Sequence, residues 1–210
     1  MTETGGQATV VVVDDDQGVR ESLALLLGTA GFRVCCHDSG EKLLAAGPPE
    51  GAACILLDLR MPGASGIEVQ KRLRAEGWRV PVMFLTGHAD VPVAVEALKN
   101  GAIDFFEKTD FSADQLIVRI NRAVEDHRIE LAQQAEARDL AARIAELSDR
   151  ELEVARLAAG GMANKVIGLE LGISERTVEV HRGRAMRKLG LRSMAELIRI
   201  EPALHGRARN

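Results

Sequence analysis

From Ala53 to Leu57 the chain passes through apolar residues without a charge, then meets Asp58 and breaks into a segment carrying Pro62, Gly63 and Gly66. A run this short and this apolar reads as a strand buried on both faces, not as a helix. Asp58 then stands at the carboxyl edge of a parallel sheet, where open α/β folds place their chemistry. A lone aspartate after a strand can equally cap the next helix, so the other segments must decide its role.

Ala8 to Val13 is a β-branched run ending in Asp14-Asp15-Asp16 and reads as a first, central strand. A helix is expected over Val19 to Ala30, with Leu23, Leu26 and Leu27 on its apolar side and Gly31 past its end. Strands follow at Phe32 to His37, at the run into Asp58, at Val80 to Thr86 and at Ile103 to Glu107. Helices are expected between them, at Ser39 to Ala46, Gly66 to Glu76 and Val91 to Asn100. Ala113 opens another. Five alternating units imply an α/β fold, one doubly wound five-stranded parallel sheet with helices on both faces. With five Phe, one Trp and no Tyr, its core must be mainly aliphatic.

Charge divides the chain further. Residues 1–124 hold 12 Lys/Arg against 17 Asp/Glu, a net of −5; residues 125–144 carry −2; residues 145–210 hold 12 against 9, a net of +3. An acidic front and a basic back suggest two domains with different partners, the back one polyanionic. We expect a domain over 1–124, a helical linker over 125–144 and a second, smaller all-α domain over 145–210. The linker stretch lacks Gly and Pro, is rich in helix formers, and does not sustain a heptad, so a solvated helix is expected there instead of a coiled coil. No apolar run is long enough to span a bilayer, and Met1 to Thr9 carries no basic region followed by an apolar stretch. Cys35, Cys36 and Cys54 form no CxxC pair and are expected as thiols in a reducing cytoplasm.

In a doubly wound sheet the strand ends gather at one rim, bringing together Asp14, Asp15, Asp58, Thr86 and Lys108. Clustered carboxylates repel one another, and a dication relieves that. Oxygen ligands with room for water suit Mg²⁺ better than zinc. A cation, a lysine point charge and a hydroxyl beside a free carboxylate oxygen would stabilise an incoming phosphoryl group, with the aspartate as nucleophile.

The set Val13-Asp14-Asp15-Asp16, Asp58-Leu59-Arg60-Met61-Pro62, Leu85-Thr86-Gly87 and Phe105-Phe106-Glu107-Lys108 resembles the flavodoxin-like receiver domain of two-component response regulators. The resemblance implies that Asp58 is the phosphoacceptor. It implies that Asp15 binds Mg²⁺ directly, Asp14 through water, and Arg60 through its backbone carbonyl. Lys108 would pair with the phosphoryl group, and Thr86 and Phe105 would form a switch pair. Asp16 is expected to be a loop or cap residue, Phe106 plain core, and His88 an exposed loop residue. One departure stands out: the family usually has a cis proline after the lysine, and here it is Thr109, so a trans peptide and an altered loop are expected.

In the basic part, Ser148 with Glu151 forms a capping-box pattern that opens a helix ending at Gly160-Gly161. Ala163 to Leu171 is a second helix, closed by Gly172. Ser174 caps a third, running to about Leu189, and Ser193 starts a fourth. Two short helices joined by a tight turn read as a helix-turn-helix. The third carries Arg176, Arg182, Arg184, Arg187 and Lys188, which could neutralise phosphates. From Leu204 the end is expected to fray.

Residues 145–200 resemble the LuxR/NarL-type output domain through Leu147-Ser148-Asp149-Arg150-Glu151, Asn164-Lys165-Val166-Ile167-Gly168, Arg176-Thr177-Val178-Glu179-Val180-His181 and Lys188-Leu189-Gly190. With the receiver, the order resembles FixJ-type transcriptional regulators. That resemblance puts Glu179, Val180 and Gly183 opposite bases in the major groove of double-stranded DNA. It makes Lys165, Thr177, Arg182, Arg184 and Lys188 phosphate or base contacts; His181, by contrast, is expected to be a packed or backbone-bonded residue and not a base reader. A carboxylate such as Glu179 would prefer a cytosine amino group. The implied partners are a sensor histidine kinase as phosphodonor, DNA, a second copy on phosphorylation or DNA binding, and RNA polymerase as a further candidate. No membrane partner and no enzymatic turnover are expected. Two rivals remain: an aspartate-nucleophile phosphatase, which would usually carry a second Asp where Arg60 stands, and a DNA-binding regulator with a degenerate receiver that ignores phosphorylation.

Overall fold

The computed structural model describes residues 7–87, 91–109 and 112–206. The chain divides into two compact units, Met1–Leu131 and Ala132–Asn210. The first contains β1 (Thr9–Val13), α1 (Gln17–Thr29), β2 (Arg33–His37), α2 (Gly40–Ala46), β3 (Ala52–Asp58), α3 (Gly66–Ala75), β4 (Val82–Thr86), α4 (Val91–Lys99) and β5 (Asp104–Glu107). All pairings are parallel, in the order β2-β1-β3-β4-β5. β1 and β4 are buried at every residue and β3 nearly so, which is why they read as continuous apolar runs; the edge strands β2 and β5 are half exposed.

Strand alternation sorts the aliphatic residues into two layers. Val11, Val13, Ile55, Leu57 and Phe84 pack with Leu43 of α2 and with Val69 and Leu73 of α3. Val10, Val12, Cys54, Leu56, Met83 and Leu85 pack with Leu23 and Leu27 of α1 and with Leu116 and Ile120 further along. The two adjacent phenylalanines part accordingly, Phe105 to the first layer and Phe106 to the second. Three helices start on side-chain caps: Asp16, expected as a loop or cap residue, accepts from Gly18 and Val19 N–H, Ser39 accepts from Lys42 N–H, and Ser65 forms a capping box with Glu68.

Leu116 and Ile120 belong to α5 (Ala113–Ala145), a single 33-residue helix that has no Gly or Pro to interrupt it. Its early residues sit in the sheet core, and Leu140 and Ile144 near its end pack in the core of the second unit. That unit continues with α6 (Asp149–Ala159), α7 (Asn164–Leu171), α8 (Glu175–Leu189), α9 (Met194–Arg199) and α10 (Glu201–His205). Ser148 and Glu151 form the capping box of α6; Ser174 caps α8 and Ser193 caps α9. Between α7 and α8 the backbone closes tightly, for a Cβ on Gly168 would lie 2.7 Å from the Ile173 carbonyl oxygen.

The chain end differs from expectation. It does not fray at Leu204: α10 seats Leu204 in the core with no exposed surface, and Arg156 Nε donates to its carbonyl at 2.9 Å. Only residues 207–210 of that stretch lie outside the described residues. Among the described residues, no helix is long and apolar enough to cross a membrane.

Candidate functional site

The carboxyl ends of β1, β3, β4 and β5 converge as the topology requires. Asp14 follows β1 and Asp58 ends β3, and both are buried, at 1% and 6% relative exposure; Asp15 beside them is exposed. Lys108, just past β5, bridges the two buried carboxylates: its Nζ lies 2.6 Å from Asp14 Oδ2 and 3.1 Å from Asp58 Oδ2. The Lys108 N–H donates to the Thr86 carbonyl at 2.7 Å, fixing the lysine to the end of β4. Asp58 Oδ1 accepts from Leu59 N–H at 2.7 Å and from Arg60 N–H at 3.5 Å. One Asp58 oxygen is thus held by its own loop, and the other faces the ammonium.

The electrostatics follow from this packing. Burial pushes the Asp58 carboxyl above its ordinary range; the bond and charge of Lys108 pull the other way, and Asp14 adds to the rise. Burial also opposes the Lys108 charge, but its bonds to Asp14 and Asp58 outweigh that and hold the ammonium above its usual value. One oxygen from each of Asp14, Asp15 and Asp58 lies within 4.8 Å of the others. Hard oxygen donors, two buried and one open to water, fit a small hard dication such as Mg²⁺.

Thr86 is buried at the end of β4. Phe105 is half-buried, its ring 6.5 Å from that of Phe84 and tilted by 42°. Asp16 caps α1, as expected. No described peptide bond is cis, so Lys108–Thr109 is trans. His88 and the loop residues 110 and 111 lie outside the described residues.

Two positions matter more than the sequence suggested. Gly66 was legible as a turn residue and helix start but not as a close approach, yet a Cβ there would run into the Asp58 carbonyl oxygen and approach Phe84 Cε1 to 2.9 Å. Its smallness lets α3 start against the end of β3. Arg20 on α1 donates to the carbonyls of Asp14 at 2.7 Å and Asp15 at 2.9 Å, bracing the acidic turn. An arginine in the first turns of a helix, against the dipole, was the available signal for it.

In the second unit, α8 presents Arg176, Glu179, Val180, Gly183, Arg184 and Arg187 as exposed residues, while Val178, Ala185 and Leu189 face the core. Lys165 on α7 is exposed. Thr177 N–H donates to the Ser174 hydroxyl, and Arg182 Nη1 donates to Asn164 Oδ1 at 3.0 Å, tying α8 to α7. His181 is half-buried and packed; its Nδ1 is buried without a hydrogen-bond partner, so it is not held by a backbone bond at that nitrogen. Lys188 differs from its neighbours. Its Nζ donates to Glu151 Oε2 at 2.7 Å and to the Glu146 carbonyl at 3.0 Å. The Lys188 bond, with the Ser148 N–H, holds the Glu151 carboxyl below its usual range. Arg143, near the end of α5, donates to the Leu189 carbonyl at 3.1 Å and covers Gly190. The last turn of α8 is therefore anchored by three groups outside it.

Residues 10–121 match the response regulator receiver domain family, and residues 145–200 match the bacterial regulatory proteins of the luxR family. The chain is 43% identical over 191 residues to the transcriptional regulatory protein FixJ of Bradyrhizobium diazoefficiens, covering 91% of this chain and 93% of that one. It is 47% identical over 192 residues to FixJ of Azorhizobium caulinodans, covering 91% and 90%. Among solved structures, the response regulator StyR matches with a TM-score of 0.86 and 40% identity over 94% of this chain and 100% of its own. Full-length FixJ from B. japonicum matches at 0.59 and 41% over 96% and 98%.

Proposed function

The chain belongs to the FixJ-type transcriptional response regulators of two-component systems, a receiver domain followed by a LuxR-type DNA-binding domain, and from that premise we propose that Asp58 is the residue through which a sensor histidine kinase controls the second domain. The observation that carries this is the Lys108 ammonium spanning Asp14 and Asp58 in a buried rim. An isolated cap aspartate would have no need of it. In this reading residues 1–124 are the receiver, 125–144 the linker and 145–210 the DNA-binding domain.

The kinase's phosphohistidine loses its N–P bond as an Asp58 carboxylate oxygen forms the new O–P bond, and the imidazole nitrogen leaves neutral. Asp58 must be ionised to attack. Burial alone would oppose that, and Lys108 offsets the effect. Asp14, Asp15, Asp58 and the Arg60 carbonyl would hold Mg²⁺, which when bound neutralises charge on the transferred group. Lys108 then passes from Asp58 to a phosphoryl oxygen, keeping Asp14 as its second partner. Thr86 supplies a hydroxyl from the end of β4, and Phe105 repacks as Thr86 is drawn inward. The phosphatase reading loses ground at Arg60, where a second acid would stand.

On DNA, α8 enters the major groove with Glu179, Val180 and Gly183 toward the bases, and Lys165, Thr177, Arg182 and Arg184 toward the backbone or bases. Lys188 is withdrawn from that set, because Glu151 and the Glu146 carbonyl already engage its ammonium. Phosphorylation favours a dimer on half-sites about one helical turn apart, and RNA polymerase is the further partner of the bound dimer. The test is operator affinity and dimerisation with and without beryllofluoride, in wild type and Asp58→Asn. Both should rise in wild type only. No change in either would leave a DNA-binding regulator that ignores phosphorylation.

A further inference from the structure

The loop from Leu59 to Ser65 carries Arg60, and its hold on the rest of the receiver comes from an unexpected side. Its ends are fixed locally: Leu59 N–H donates to Asp58 Oδ1, Gly66 N–H donates to the Leu59 carbonyl at 3.0 Å, and Ser65 N–H donates to Glu68. Leu59 and Met61 are anchored in the core. The far limb of the loop is tied to a different helix. Ala64 N–H donates to Glu41 Oε1 at 2.9 Å, across 23 residues of sequence.

Glu41 is placed to do this. It lies in the first turn of α2, two residues after the Ser39 cap. Its neighbour Gly40 has no exposed surface worth a side chain, since a Cβ there would collide with Val69 of α3. The start of α2 is therefore pressed against α3, which places Glu41 within reach of the loop. Gly63 completes the arrangement. It adopts φ +84°, and a Cβ on it would sit 2.8 Å from Glu41 Oε1. The Ala64 N–H in turn holds the Glu41 carboxyl below the usual carboxylate range.

We propose that Glu41 is a positioning residue for the phosphoryl-transfer site, setting the loop that offers the Arg60 carbonyl by holding Ala64 from α2. It touches neither the phosphoryl group nor the cation. Its effect passes through the backbone between Arg60 and Ala64, as outer residues of metal sites commonly act on the ligands they support. The inference rests on the reading of Asp14, Asp15, Asp58 and Arg60 as the cation site.

The test compares wild type, Glu41→Gln and Glu41→Leu in the full-length protein. Amide hydrogen exchange at Ala64 is measured without metal, and Mg²⁺ affinity is measured by calorimetry without any phosphodonor. Glu41→Gln keeps an acceptor oxygen and should stay close to wild type in both. Glu41→Leu should speed exchange at Ala64 and weaken Mg²⁺ binding about three- to tenfold, at or below the low end for outer-shell losses. Unchanged Mg²⁺ affinity in Glu41→Leu, or unchanged Ala64 exchange, overturns the proposal. If wild type itself binds no Mg²⁺, the cation site is refuted along with it, whereas a wild type that binds normally beside an unaffected Glu41→Leu sinks the positioning role only.

Discussion

The receiver rim and the exposed face of α8 both gather charge, and they do so in opposite ways. At the rim, Asp14, Asp58 and Lys108 come from the ends of three strands, are largely withdrawn from water, and are paired with one another. On α8, Arg176, Arg184 and Arg187 come from one helix and stand in solvent. Buried, mutually paired charges change together, so one chemical event at Asp58 disturbs every partner. Exposed charges on one helix act nearly independently and add their effects on a polyanion. The first arrangement suits a switch, the second a graded grip.

That contrast can be broken most sharply at Asp58. Asp58→Asn should lower phosphoryl incorporation by at least about a hundredfold, measured with a radiolabelled donor, because the substitution removes the proposed acceptor oxygen while Lys108 keeps Asp14 as a partner. Labelling that persisted near the wild-type level would place the acceptor elsewhere.

Next comes the same substitution made in both regions. Gly66→Ala should cost about 2–3 kcal/mol in chemical unfolding, since its Cβ meets the Asp58 carbonyl and Phe84. Gly183→Ala, with nothing within 4 Å, should instead stabilise the free protein by about 0.5–1 kcal/mol. Its operator affinity should fall if this glycine lies against the bases. Equal costs at the two positions would contradict the packing described.

A smaller difference separates two cations on α8 itself. Arg184→Gln should reduce the salt dependence of DNA binding by about one phosphate's share. Lys188→Met should lower stability, by about 1 kcal/mol, and leave that slope unchanged, because its charge is spent on Glu151. A reduced slope for Lys188→Met would restore it to the phosphate contacts.

The smallest effect is one of sign, in the response to acid. Asp58 has its pKa raised on folding, so it favours the folded state only below its unfolded value, near 3.8, and that advantage is gone once pH exceeds the folded value. At neutral pH its charge is a burden. Asp58→Asn should therefore raise the thermal midpoint by about 3–5 °C, and the gain should shrink toward pH 4. Glu151 is the reverse case. Its lowered pKa gives stability above the usual 4.5 that is lost as pH falls through the folded value. Glu151→Gln should therefore be destabilising at neutral pH and less so in acid. Thermal unfolding of both variants between pH 3 and 7 checks the pair of signs.

Much of this was legible beforehand, for a physical reason. Strands buried on both faces must be written in unbroken apolar residues, so Val10 to Val13 and Ala53 to Leu57 announced themselves, and the polar residue ending each run marked the rim. The caps at Asp16, Ser148 and Ser174 were legible because Ser and Asp act within three residues of themselves. What could not be read were contacts made across the fold. Glu41 and Ala64 are neighbours only because α2 and the loop after β3 share one edge of the sheet. Lys188 looks like any exposed lysine until Glu151, in another helix, is seen beside it. Leu204 was lost in a polar tail because one large apolar residue in a five-residue helix leaves no periodic signal, yet one is enough to seat α10.

The bond from Arg143 to the Leu189 carbonyl has a consequence for how such modules can be exchanged between proteins. Family likeness in the second unit begins at residue 145, but Leu140, Arg143 and Ile144 come before it and already serve the core and the last turn of α8. A chimera spliced at 145 would hand α8 to a foreign helix end with neither the arginine nor the isoleucine. The workable seam lies upstream of Leu140, inside the uninterrupted helix, where crossover preserves the reading frame of the helical turns and the fittings at the far end travel with the part they hold.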